Sequence, residues 1–416
     1  MFIAVLFFSC TASKKGDLSV SEFEGEAESG LTEKESKIAT KEKLYELAVY
    51  SSCKNYDNNL SSFAHSVEFI PLPLEPLIND FQVCDIAFCN DRILLSGLSF
   101  IYQYDKTGDF IRQIGNRGMG PKEYVNISYP LQIDEEKSLI YATDLGRNRV
   151  VIFHIDGDFY KTIPLPPNSC IDLIDENLIA LRQTIGQRNK PDCASIRFMD
   201  SKGKIINSYR SNIYPIKKKT KMLGADMSRV WRHKGNLYFL EYASDTLYHI
   251  KHDSIVPRYR LTGEFKLNQD DYFKKETGDK FGIMTYIMRP NSGIFESDNY
   301  IVFRMGNNSG NFFMVYDKIK SRYYRTYHKD AVANRTGAKN MDYFIDDMVS
   351  GLKFNPQYQN GNKAIAILSS ETLMEEKQKM LDFISVNPTP EGEQLKSFLK
   401  QLSEDDNPYL IIVTFK

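Results

Sequence analysis

Few residues in this chain have the type and spacing that chemistry requires. Its six histidines are scattered. His249 and His252 stand three apart on a stretch expected to be strand and turn, so their rings do not converge on one ion. No H-E-x-x-H zinc pattern and no G-x-S-x-G nucleophile elbow occurs. The acid pairs Asp270–Asp271 and Asp346–Asp347 lack calcium-loop spacing. GNRGMGPKEY (residues 115–124) invites comparison with a phosphate loop, but it lacks the Gly-Lys-Ser/Thr ending and leads towards Pro130 and a strand. It is expected to be a connection between structural units that needs permissive backbone. With Cys10 set aside, Cys53, Cys84, Cys89, Cys170 and Cys193 remain, an odd number with no C-x-x-C pair. Small core residues are expected, with a Cys170–Cys193 bridge as the alternative in an oxidising compartment.

One pattern of charge stands out. Loops on one side of the expected strands carry Arg117, Lys122, Arg147, Arg182, Arg188, Lys190, Lys217, Lys218, Lys219 and Arg304. In a chain with 53 basic and 54 acidic residues, such a local basic rim favours an anionic ligand. Tyr124, Trp231 and Tyr242 are candidate stacking surfaces beside it. The near-zero net charge argues against a general nucleic-acid binder, which needs a basic excess.

The elements that position these residues repeat. Four short β-type runs recur in each of five units: VCDIAFC, RILLSG, FIYQYD and DFIRQIG; then LQIDEE, LIYATD, VVIFHI and FYKTIPL. The third has CIDLID, LIALRQ, SIRFMD and KIINSYR, and the fourth SRVWRH, NLYFLE, TLYHIK and IVPRYRL. GIFES, NYIVFR, FFMVYD and RYYRTYH make the fifth. An Asp turn precedes the fourth strand, and Asp105, Asp156, Asp200 and Asp253 are spaced by 51, 44 and 53 residues. Four strands at this period predict a β-propeller, because a lone four-stranded sheet exposes two apolar faces that radial packing buries. The terminal run YLIIVTFK pairs in expectation with HSVEFIPL near His65, sharing a closing blade and giving six. Apolar stripes predict helices over residues 371–384 and 392–402 that cap the ring, and residues 269–282 also have a helical look.

The N-terminal residues read differently. MFIAVLFFS closes on Cys10, an apolar stretch suited to a signal peptide and too short to span a membrane. It resembles a bacterial lipobox, in which Cys10 would carry the lipid; the basic residues usual before such a stretch are missing, as a start annotated too late would explain. The organisation expected is a signal peptide over 1–10, a polar tether over 11–60 holding one short helix, and a six-bladed all-β propeller over 61–416 with peripheral helices. That helix rests on Thr32-x-x-Glu35 and on the near-helical spacing of Ile38, Leu44, Leu47 and Ala48.

IGNRGMGPKEY, SDTLYHIKHDSIVPRY and DNPYLIIVTFK resemble segments of the six-bladed β-propeller lipoproteins common in Bacteroidetes, although Lys122 stands where that family usually has Gly. The resemblance implies a propeller related in shape to the NHL and TolB-like groups, anchored in the cell envelope on the periplasmic side or the outer surface. It implies little about activity. A non-enzymatic module binding a glycan, peptide or partner protein leads. The alternative is a calcium-dependent hydrolase or lactonase-like enzyme working from the central funnel, where ligands gathered from different blades would leave no local motif. A purely architectural subunit of an envelope complex is the third possibility.

Overall fold

The computed structural model describes residues 44–49, 55–167, 169–175, 177–183, 194–210, 229–240, 244–263, 282–283, 294–307, 310–329, 331 and 339–416. They build a six-bladed β-propeller. From the inside out, blade 1 consists of Asp85–Cys89, Arg92–Ser96, Ile101–Asp105 and Phe110–Gln113. Blade 2 follows with Ile127–Asp134, Leu139–Asp144, Arg149–His154 and Phe159–Pro164. Blade 3 has Ser169–Asp175, Leu178–Gln183, Ala194–Asp200 and Ile205–Arg210, and blade 4 has Arg229–His233, Asn236–Leu240, Thr246–Lys251 and Ser254–Gly263. Blade 5 holds Ile294–Glu296, Tyr300–Asn307, Gly310–Asp317 and Arg322–Arg325. In blade 6, Tyr358–Asn360, Lys363–Leu368 and Tyr409–Phe415 take their fourth strand from the other end of the chain, Ala64–Pro71. That closing pair is antiparallel, running from Ala64 opposite Phe415 to Pro71 opposite Tyr409.

Position within a blade dictates residue type. Every residue of Leu139–Asp144 is buried, because a second strand is flanked by neighbours in its own sheet and covered on both faces by adjacent blades. The outermost strand of blade 1, Phe110–Gln113, is mostly exposed. Each junction between blades has its own apolar core; Val150, Ile152 and Ile163 of blade 2 meet Ile171, Leu173 and Met199 of blade 3. Turns between third and fourth strands lock consecutive blades. Asp105 Oδ1 accepts from Thr107 N at 2.8 Å, Thr107 Oγ1 at 2.6 Å and Asp109 N at 3.0 Å, and Asp200 Oδ1 accepts from Lys202 N and Lys204 N at 2.9 Å. Gly108 holds a φ of +96° there, and a Cβ on it would lie 2.5 Å from the carbonyl oxygen of Pro71 in the preceding blade. Likewise Arg112 of blade 1 donates to the Asp156 carbonyl of blade 2, and Asn207 of blade 3 to that of Asp253 of blade 4 at 2.9 Å.

The helices at Ser370–Val386 and Pro390–Gln401 lie where expected. Ser369 Oγ and Thr389 Oγ1 cap their first turns, accepting from Thr372 N and Gly392 N. Their buried stripe, Leu373, Met380, Ile384, Leu395 and Leu399, joins the core between blades 5 and 6. The short helix expected from Thr32 to about Ser51 is corrected over its described residues, 44–49, the rest lying outside the described residues. Tyr45–Val49 is a strand, pairing in parallel with Tyr259–Gly263 on the outer edge of blade 4. The ten-residue strand Ser254–Gly263 outruns its inner neighbour, and its unpaired edge groups are satisfied by this added strand. Leu47 is buried at that edge, against the core between blades 4 and 5. The stretch 269–282, apart from Gly282, and residues 1–43 lie outside the described residues.

Candidate functional site

In blade 1 successive strands run antiparallel, so the connection to blade 2 and the turn between second and third strands lie at the same end of the ring. The loop 115–124, between blades 1 and 2, occupies that end and is bonded to itself. Gly118 N donates to Tyr124 O at 2.9 Å, Tyr124 N to Asn116 O at 3.0 Å, and Gly120 N to Glu123 Oε2 at 2.6 Å. Glu123 folds so closely over the loop that a Cβ on Gly118 would lie 2.1 Å from its carboxylate. Arg147 donates to the carbonyls of Met119 at 3.1 Å and Gly120 at 2.8 Å. Arg149 donates to Pro121 O at 3.1 Å and to Glu123 O, while Asp144 holds its Nε at 3.3 Å. The other Asp144 oxygen accepts from Val125 N and Asn126 N. Two arginines and one aspartate of blade 2 thus clamp the whole connection.

This arrangement sorts the expected rim residues. Tyr124 is 0 % exposed, sealed in the core between blades 1 and 2, with its hydroxyl on Ile114 O at 3.3 Å and burial pushing that hydroxyl up to about 12. Its ring offers no stacking face, which corrects that expectation. Arg147 supports the loop from beneath through its two carbonyl bonds. Arg117 and Lys122 are exposed on the loop, with Lys122 Nζ 6.0 Å from the ring centroid of Phe159. Between them Met119 is 75 % exposed, and Leu98 is exposed on the second-to-third turn of blade 1. Arg304 is paired with Asp342 within blade 5, so it is not an open cation of the rim. Arg182 lies in register with Cys170 and Ile196. Tyr242, Arg188, Lys190, Lys217, Lys218, Lys219, Cys193 and Cys10 lie outside the described residues.

Polar side chains do converge on the innermost strands, where they satisfy backbone edges. Asp85 accepts from Leu131 N at 2.8 Å, and Gln132 accepts from Leu173 N at 3.0 Å. Arg232 donates to Leu173 O, and Gln359 of blade 6 donates to Arg232 O and Glu296 O, so inner strands are tied between blades 1 and 2, 2 and 3, 3 and 4, 4 and 6, and 5 and 6. Among the described residues no group of three or more His, Cys, Asp or Glu stands together as metal ligands.

Among the described residues, the densest charged assembly lies at the opposite end of the ring, between blades 4 and 5. Trp231 is there, 6 % exposed, which corrects its expected place on the rim. Its indole Nε1 donates to Glu296 Oε2 at 2.9 Å. The other carboxylate oxygen takes Lys318 Nζ at 2.8 Å, Tyr259 OH at 3.4 Å and Arg258 at 3.5 Å. Arg258 stacks over the rings of Tyr238 and Tyr259, 4.5 and 4.9 Å from their centroids. Burial pushes the Tyr259 hydroxyl up and the Lys318 ammonium down. His233, with Nε2 3.5 Å from Asp298, is held below the ordinary histidine range by burial, and its Nδ1 has no hydrogen-bond partner. Glu296, Arg258 and Lys318 belong to different strands and turns, so no local motif announced them.

A family model described as a domain of unknown function, DUF4934, matches residues 46–414. The chain belongs to the DUF4934 family. No curated protein matches it. Among solved structures, this DUF4934 chain is similar to a Bacteroides fragilis protein described as a "Putative exported protein", at 19% identity and a TM-score of 0.63, covering 90% of this chain and 100% of that one. A DUF4221-family member from Bacteroides vulgatus aligns at 12% identity and a TM-score of 0.47, over 85% of this chain and 97% of that one. The first of these likenesses supports the propeller fold of the DUF4934 chain.

Proposed function

We propose that this DUF4934 propeller is an exported, lipid-anchored binding module of the cell envelope, and that the loop 115–124 meets its ligand. The observation that carries this reading is the clamped loop, whose backbone is spent on internal bonds while Arg117, Met119 and Lys122 face solvent. A surface ordered before binding loses little entropy on association, which favours recognition. Two cations flanking an exposed thioether suit an acidic peptide or protein surface with apolar side chains. Export is supported by the apolar stretch ending at Cys10 and by the description of the Bacteroides fragilis neighbour.

The test is an array carrying acidic–apolar peptides and acidic glycans, probed with wild-type protein and an Arg117→Glu/Lys122→Glu variant. Wild type should retain peptides and the variant should lose them by at least about tenfold, since two reversed contacts exceed 1.4 kcal/mol. Peptide binding unaffected by the reversal, or binding to glycans alone, would sink the reading. For the anchor, Cys10→Ala should move the protein from the membrane fraction to the soluble envelope fraction; an unchanged distribution would remove the lipid from the proposal.

A further inference from the structure

The junction of blades 4 and 5 carries more positive than negative charge. Glu296 is the carboxylate for both Lys318 and Arg258, and the next acid, Asp298, is engaged by Lys234 at 3.1 Å and His233 at 3.5 Å. Three cations, Arg258, Lys318 and Lys234, therefore face two carboxylates, Glu296 and Asp298, among the described residues. The surplus charge sits on side chains largely withdrawn from water, Arg258 at 27% and Lys318 at 20% exposure. Arg258 donates to Tyr238 OH and Glu296 and shares a side-chain hydrogen bond with Tyr259, and among the described residues Lys318 bonds Glu296 and Ser297 O, so a guanidinium with five N–H donors and an ammonium with three keep donors to spare. The guanidinium carbon lies 4.5 Å from the ring centroid of Tyr238 and 4.9 Å from that of Tyr259, so the group is restrained by two aromatic contacts as well as by its hydrogen bonds.

We infer that this junction is a binding site for a small carboxylate monoanion, received by the remaining N–H donors of Arg258 and of Lys318. One surplus charge matches a monoanion, and a fixed guanidinium fork matches the planar geometry of a carboxylate better than a lone ammonium would. The site lies at the opposite end of the ring from the loop 115–124, so it stands or falls independently of the peptide-binding reading.

The chain has one tryptophan, Trp231, and its indole is bonded to Glu296 inside this assembly, so tryptophan emission excited at the red edge, where tyrosine does not absorb, reports on this site. The experiment titrates purified protein with sodium acetate, against sodium chloride at matched ionic strength, while Trp231 emission is followed. A saturable change with acetate, absent with chloride, is expected. Lys318→Met, which leaves Glu296 paired with Arg258 alone, should raise the acetate midpoint at least tenfold. Arg258→Lys, which keeps the charge and removes the fork, should weaken binding without abolishing it. Melting curves establish that each variant is folded, and the wild-type comparison with chloride decides the matter where one is not. Equal responses to acetate and chloride, no response, or an unchanged midpoint in folded Lys318→Met would overturn the inference.

Discussion

Trp231 and Glu296 lie 65 residues apart in the chain and meet across the junction of blades 4 and 5, indole Nε1 to carboxylate at 2.9 Å. Glu296 is wholly buried and is the shared counter-charge of Arg258 and Lys318. Replacing it by Gln keeps the shape and strands two cations, so Glu296→Gln should lose about 3–5 kcal/mol. Trp231→Phe removes one donor to a charged acceptor and should lose about 1.5–3 kcal/mol. Urea unfolding followed by circular dichroism checks both. A wild-type midpoint for Glu296→Gln would mean that the carboxylate does not neutralise its neighbours.

Arg149 spans from Asp144 to the carbonyls of Pro121 and Glu123 and is the broadest hold on the loop 115–124. Arg149→Met should let the loop open locally while the blades stay folded. Charge-assisted bonds of about 1.5–3 kcal/mol each translate into at least roughly tenfold faster tryptic cleavage after Arg117 and Lys122. Fragment mapping by mass spectrometry measures this, and wild-type cleavage rates would show that the loop is held by its own bonds alone.

Two glycines separate backbone strain from inter-blade contact. Gly235 has φ +72° with nothing within 4 Å of an added Cβ, whereas Gly108, at φ +96°, abuts Pro71 O. Gly235→Ala should cost about 1–2 kcal/mol from the left-handed backbone alone. Gly108→Ala adds displacement of the blade 6 edge and should melt clearly lower. Coincident melting temperatures would mean that the Pro71 contact yields without cost.

Stability should fall on acidification through the histidine range. His233 has its folded value lowered from the ordinary 6.5, first by burial, with Lys318 and Lys234 adding to the effect and Glu296 and Asp298 opposing it. The unfolded chain therefore takes up the proton first. The contribution of His233 is complete above about 6.5 and is lost as pH drops below it. His249 and His328, both also lowered by burial, act in the same direction. Unfolding free energies at pH 7.5, 6.5 and 5.5 should decline in wild type and decline less in His233→Gln. Parallel curves would show that His233 is not among the groups responsible.

What could be known from the residues alone was local. Each blade is a meander whose strands follow one another through short turns, so alternation, Asp turns and period revealed five blades, and the strong terminal strand revealed the shared sixth. The capping helices announced themselves by stripes such as Leu373, Met380 and Ile384. Tyr45–Val49 was misjudged because its partner, Tyr259–Gly263, lies more than two hundred residues away, and an edge strand takes its conformation from that partner. Tyr124 and Trp231 read in the sequence as stacking surfaces, but whether an aromatic faces solvent or a neighbouring blade is decided by radial packing, and both are buried. Glu296, Arg258 and Lys318 have no spacing in common, since they come from different strands and turns of two blades. Their juxtaposition arises only when the sheets close around one axis, and the charge surplus at that junction is a property of the closed ring.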